Sequence, residues 1–337
     1  MSNVSVSISA ILMCCDDSAI GINIGRGYTL KKAYYNELSF KNSITDGQNK
    51  LLPDYCFSQL KDCGGVYFIC LSKDDQINID IPAFDGKLLC SNNLPPEVRK
   101  QIAAYADCEV SYLFDRINLL KLFRVGNIGY KTIFFDFYLQ YPFIGMPRVI
   151  NYFSQKGDRN IVDSRKFVLS ADEVVGCNSF LLNYEGKPYE LLRECINVFA
   201  HGLEQIDAGT SFEQYTIAIE MALLEKNQKG KKQALANRVA TILGSNNSEI
   251  KMIHDKMVKY YCYRSQAVHE GNYSNISSYE LQELEGIVRG VLFWCLEQCR
   301  RSLVINGNST WEEVKAGIIA DTKKRVMNLQ TQNVLPT

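Results

Sequence analysis

The chain has 337 residues, 46% of them hydrophobic and 22% charged, enough for two domains each with its own core. Lys plus Arg and Asp plus Glu each total 37, so the formal net charge is zero and a basic field over the whole chain is excluded; any nucleic-acid surface must be local. No window approaches 18 uninterrupted apolar residues and the opening segment lacks a basic n-region, so no membrane span and no signal peptide are expected and the protein is predicted to be cytoplasmic.

The first half reads as mixed and strand-rich. Residues 4–12 (VSVSISAIL) alternate and are β-prone. GVYFICL (65–71) and INIDIPAF (77–84) read as two strands separated by SKDDQ, and YKTIFFDFYLQY (130–141) and RKFVLS (165–170) as further strands. GINIGRGYTL (21–30) has the wrong glycine spacing for a dinucleotide loop and runs on into an extended stretch, so it reads as a turn between strands. Cys14–Cys15 reads as a strand end. Two helical segments interrupt the strands: PPEVRKQIAAYA (95–106), with prolines at its start, and EVSYLFDRINLLKLFRV (109–125), with Leu113, Ile117, Leu120 and Phe123 near helical spacing. The expectation is an α+β domain over residues 1–182, with no catalytic constellation of its own.

After the turn-rich NYEGKPYE (183–190) the pattern becomes helical, which predicts an all-helical domain over residues 186–330. Six helices are expected. The second, SFEQYTIAIEMALLEKN, offers Ser211 and Gln214 at capping-box spacing; the third stops at Gly244, a candidate left-handed cap; the fourth closes at Gly271; the fifth opens on a box of Ser277 and Glu280. The last eight residues (QTQNVLPT) read as a frayed tail.

The twelve cysteines are scattered, with no CxxC and no zinc spacing, and several lie in apolar runs. They read as reduced thiols serving as small hydrophobes, and neither a metal nor another cofactor is expected. The three histidines, His201, His254 and His269, are too far apart to suggest a metal site; His201 reads as lying near a helix end or turn, His254 as structural or surface.

The fourth helix carries Arg264 and His269. Its apolar face comprises Ile250, Ile253, Met257, Tyr260 and Tyr261, with Arg264 at the edge. Five residues span ~7.5 Å of rise and turn the second position ~140° from the first, so the pair converges poorly within one regular helix. Convergence needs a distorted last turn, an extended ligand, or two copies meeting across a dimer. The bland alternative is an arginine and a histidine interacting favourably with the dipole of a helix C-terminus.

RSQAVHEG (264–271) matches the R-x4–6-H pattern, and the ordered segments FEQYTIAIEMALLE (212–225), ALANRVATILG (234–244) and IKMIHDKMVKYYCYRSQAVHEG (250–271) resemble the HEPN superfamily, in its ApeA-like branch associated with anti-phage defence. The resemblance covers roughly residues 188–305. It implies an all-helical domain pairing as a homodimer, with Arg264 and His269 of both copies facing one cleft that cuts RNA without metal, and with Ser265 assisting. The sequence departs from the family where Glu270 stands between His269 and glycine.

These residue types suit that chemistry. RNA carries its own nucleophile, the 2′-OH. Histidine can take that proton or protonate the leaving 5′-oxygen, and a guanidinium fork matches the charge developing on phosphate oxygens. Residues 225–264 hold nine basic residues against three acidic ones, an RNA-facing surface or a solvated helix face. Lys256, Lys259 and Tyr263 are the expected RNA contacts. Tyr260 and Tyr261 could stack bases but read better as core.

Two functions follow as expectations. One is a metal-independent endoribonuclease acting in abortive infection, its N-terminal domain sensing a phage-derived trigger. The other is a non-catalytic HEPN module binding nucleotide, RNA or a protein partner.

Overall fold

The computed structural model describes residues 2–45, 48, 53–56, 58–80, 95–139, 148–154, 165–270 and 276–336. The fold is α+β, an antiparallel sheet followed by a helical region, and the chain divides into two compact units, Met1–Leu182 and Asn183–Thr337.

Among the described residues the first unit contains six strands: β1 (Ser2–Ile11), β2 (Thr29–Tyr34), β3 (Leu60–Asp62), β4 (Gly65–Ile79), β5 (Ile133–Leu139) and β6 (Arg148–Ser154). Their order is β2-β4-β1-β5-β6, with β3 paired to the start of β4, and every ladder is antiparallel. The helices of this unit are α1 (Pro53–Cys56), α2 (Pro96–Phe123) and α3 (Ala171–Asn183), the last ending at the boundary.

The expected break at SKDDQ is absent: β4 runs unbroken through it and pairs with β1 from Ser2↔Ile79 to Ile11↔Cys70. The reason lies in side-chain alternation. Lys73 and Asp75 share the face of Leu71, and α2 supplies their partners. Lys73 Nζ lies 3.3 Å from Glu109 and 2.7 Å from Asp75, and the Tyr105 hydroxyl donates to Asp75 at 2.7 Å. Charges that look like a turn in sequence are thus satisfied beneath a helix. On the opposite face Ile11, Ala33, Phe68, Cys70 and Phe134 form a cluster with Leu38, Phe40, Ile44 and Tyr55, and the Phe40 and Phe134 rings stack at 4.1 Å.

The two helices expected between 95 and 125 are one, because no breaker separates Ala106 from Glu109. The expected strand at 165–170 reduces to a single bridge of Phe167 to Cys15. Its backbone bonds go to two partners, Asn127 N–H to the Arg165 carbonyl and Phe167 N–H to the Cys14 carbonyl, so no ladder forms. β1 itself ends at Ile11, ahead of Cys14 and Cys15. The 21–30 stretch is a turn, preceded by a 3-10 turn at Asp17–Gly21 and followed by β2. Gly25 adopts φ +92° and lies so close to the Tyr112 hydroxyl that a Cβ would collide with it.

The second unit holds α4 (Lys187–Leu203), α5 (Ala208–Leu223), α6 (Lys231–Leu243), α7 (Asn247–Glu270), α8 (Ser278–Ile305) and α9 (Trp311–Thr331). Its core is built from Phe199, Phe212, Tyr215, Leu235, Val288, Leu292 and Leu296, all buried. Helix α5 starts earlier than Ser211: Asp207 is the cap, accepting from the Thr210 N–H at 2.7 Å, which leaves Ser211 buried inside the helix. Gly244 does terminate α6, but in an extended conformation and not a left-handed one. The Ser277–Glu280 box of α8 forms as expected. The C-terminal stretch folds back: the Val334 N–H bonds to the Leu329 carbonyl, and Leu335 is buried against Ala240 and Ile250. Burial of Leu335, the packing of Val334 against the same cluster and the backbone bonds to Leu329 together offset the cost of ordering the tail.

Among the described residues no helix is long and apolar enough to cross a membrane, and every cysteine is free.

Candidate functional site

Helix α7 has 24 residues and buries Ile250, His254, Met257 and Tyr260 on one face. His254 belongs to this structural face: its Nδ1 lies 2.9 Å from Asp255 and its Nε2 faces the Gln233 amide at 2.6 Å. His201 is exposed in the last turn of α4, against Gln205.

The C-terminal half of α7 is fixed to its neighbours by charge. Glu280 is aimed by the α8 cap: one oxygen accepts from the Ser277 N–H at 3.0 Å and the other faces Lys259 Nζ at 3.2 Å. One turn along α8, Glu283 takes Lys256 and accepts from the Tyr260 hydroxyl. Burial alone would raise the Glu283 carboxyl, but hydrogen bonds from Lys256 and Tyr260 outweigh it and hold the group below its usual range. Burial and Glu283 push the Tyr260 phenol far upward, so it remains a donor. Its ring packs edge-on against Phe212 at 5.8 Å, which places Tyr260 in the core; Tyr261 is half-buried.

Arg264 lies on the next turn beyond Tyr260 and Tyr261. Its side chain retains 23% exposure. Nη1 lies 3.4 Å from Glu220 Oε1 on α5, and the guanidinium carbon sits 5.9 Å from the centre of the Tyr261 ring. Arg264 Nε and Glu220 Oε1 are both buried and make no hydrogen bond among the described residues. Burial raises the Glu220 carboxyl above its ordinary value, opposed by Arg264 and Lys231. Burial and Glu220 likewise raise the Tyr261 phenol.

Ser265 is exposed beside Arg264. The backbone of α7 continues in helical form to Glu270, so the His269 position is ~140° around the axis from Arg264. The side chain of His269, and Gly271 beyond it, lie outside the described residues. The predicted RNA contacts Lys256, Lys259 and Tyr263 share this half of the helix. Lys259 is half-exposed and lies 5.3 Å from the Tyr263 ring; Tyr263 and Glu280 hold its ammonium above the ordinary value.

The basic segment is less free than its composition suggests. Lys256, Lys259 and Arg264 each face a carboxylate, and Arg238 is buried, donating to the Leu223 carbonyl and to Gln228 at 2.9 Å. Glu220 was not a sequence candidate. Its signal was a single carboxylate in an otherwise apolar run, IAIEMALL (217–224), where a buried charge needs a partner.

Among the described residues no cluster of His, Cys, Asp and Glu could hold a metal ion. Compared with known proteins, the chain matches no family model, no curated protein and no solved structure significantly.

Proposed function

We propose that the helical unit is a metal-independent endoribonuclease of the HEPN type, acting in the cytoplasm as part of anti-phage defence. The observation that carries this reading is Arg264: an arginine side chain 23% exposed near the end of a long helix, with a histidine position five residues further on. Poor convergence of the two positions on one helix is met by a homodimer, in which two Arg264–His269 pairs share a cleft. The 2′-OH of the RNA attacks its own phosphate, one His269 takes the hydroxyl proton, and the other protonates the departing 5′-oxygen. Arg264 offsets the charge growing on the phosphate oxygens, with Ser265 as an auxiliary donor. The products are a 2′,3′-cyclic phosphate and a 5′-hydroxyl. Lys256, Lys259 and Tyr263 hold the RNA, and the N-terminal unit senses a phage-derived trigger that releases the activity.

The test is RNA cleavage with a metal chelator present, comparing the wild-type chain with Arg264→Ala and His269→Ala. Both substitutions should abolish cleavage and toxicity in cells; unchanged cleavage in either sinks the proposal.

A second reading, a non-catalytic module binding nucleotide, RNA or a protein partner, is favoured by one observation. Lys256, Lys259 and Arg264 each already face a carboxylate of the same chain, which leaves less positive charge for a substrate. Tight binding without cleavage, under every activating condition tried, would select it.

A further inference from the structure

The pairing of Arg264 with Glu220 deepens the nuclease reading and rests on it. A lone arginine side chain has four rotatable torsions and loses on the order of 2 kcal/mol of rotamer freedom when fixed. An arginine that must meet a developing charge is more effective when that cost has been met before the substrate arrives. Glu220 projects from α5, a different helix from the one that carries Arg264, and lies 16% exposed within an apolar run. Its carboxylate therefore approaches the guanidinium from the protein side. The contact is through Nη1, at 3.4 Å, and the Arg264 side chain keeps 23% exposure, which leaves donors that the Glu220 contact does not use. Tyr261 lies along the same stretch, 5.9 Å from the guanidinium carbon, and restricts its swing.

A bidentate, fully buried pair would have quenched the arginine; a single long contact leaves donors over. Among the described residues Arg264 Nε and Glu220 Oε1 are buried without a hydrogen bond, so the pair is held by the single Nη1 contact.

We infer that Glu220 is a positioning residue: it holds the Arg264 guanidinium at the edge of α7 with its remaining donors presented to an RNA phosphate. The competing reading is that Glu220 competes with the phosphate for Arg264 and restrains activity. The two predict opposite signs.

The experiment uses the full-length chain and Glu220→Gln, which keeps shape and removes charge. Steady-state cleavage of a labelled RNA should show kcat lower by about 10- to 100-fold, the loss expected when a catalytic group is misplaced by around 1 Å, with KM changed less than threefold. Glu220→Asp, which keeps the charge on a shorter arm, should recover part of the rate. Cleavage by Glu220→Gln equal to or faster than wild type overturns the inference. A second measurement needs no catalysis. With 15N-labelled arginine, the Arg264 Nη–H resonances, assigned by their loss in Arg264→Lys, should exchange slowly with solvent in wild type and rapidly in Glu220→Gln. Equal exchange in both overturns the positioning. A wild-type chain that does not cleave, with the exchange difference present, sinks the nuclease reading while the positioning stands.

Discussion

At the scale of single residues, the ends of α7 and α8 are joined by carboxylates that each serve two groups. Glu283 takes Lys256 and Tyr260, and Glu280 takes Lys259 and its own helix cap. The Tyr260 hydroxyl can be removed without emptying space, since its ring stays packed against Phe212. Tyr260→Phe should cost about 2 kcal/mol in urea denaturation, one net hydrogen bond to a charged group that keeps its other partner. A cost above about 3 kcal/mol would mean that the Glu283 carboxylate is left effectively unpaired. Tyr260 as core was legible from its place on the apolar face of the helix. Glu220 was not, because a carboxylate in an apolar run announces a missing partner without naming it, and its partner lies 44 positions away in the chain.

At the scale of elements, caps and periodicity made the helices readable, and long-range pairing hid much else. The fifth helix starts on Ser277 and Glu280 as read, since both halves of that box are local. Strand β4 was misread at SKDDQ because the partners of Lys73 and Asp75 come from α2, some 30 residues on. The C-terminal tail was misread because a short polar stretch hides one leucine with a distant seat. Leu335→Ala should cost about 2 kcal/mol, the low end for a buried leucine in a peripheral cluster. A cost under about 0.5 kcal/mol in urea denaturation would show that the tail does not dock in solution. In α8, Glu297 accepts from Tyr184 at 2.8 Å and from Arg300 and Arg301, and these bonds, that of Arg300 foremost, depress its carboxyl from 4.5 to about 2. A depressed acid contributes stability above its ordinary value and loses it as pH falls through the folded one. Wild-type stability should therefore drop between about pH 4.5 and 2 more steeply than that of Glu297→Gln. Parallel pH profiles of the thermal midpoint would rule this out.

At the scale of the whole molecule, the change from alternating to helical patterning near residue 183 was plain in the sequence, and the structure separates its two compact units at Leu182 and Asn183. The α+β class was legible for the same reason. What the sequence could not supply was the balance of charge around the proposed site. Nine basic residues in forty suggest an open cationic surface, yet carboxylates from α5 and α8 meet three of those that matter. Lys259 keeps 50% of its side chain exposed, Lys256 32% and Arg264 23%. A composite nuclease site built on Arg264 makes one demand above the others. The purified chain, supplied with labelled RNA and EDTA, should release fragments bearing 2′,3′-cyclic phosphate ends. Arg264→Ala, folded to the same thermal midpoint, should release none. Cleavage by Arg264→Ala at the wild-type rate would contradict the proposed function directly.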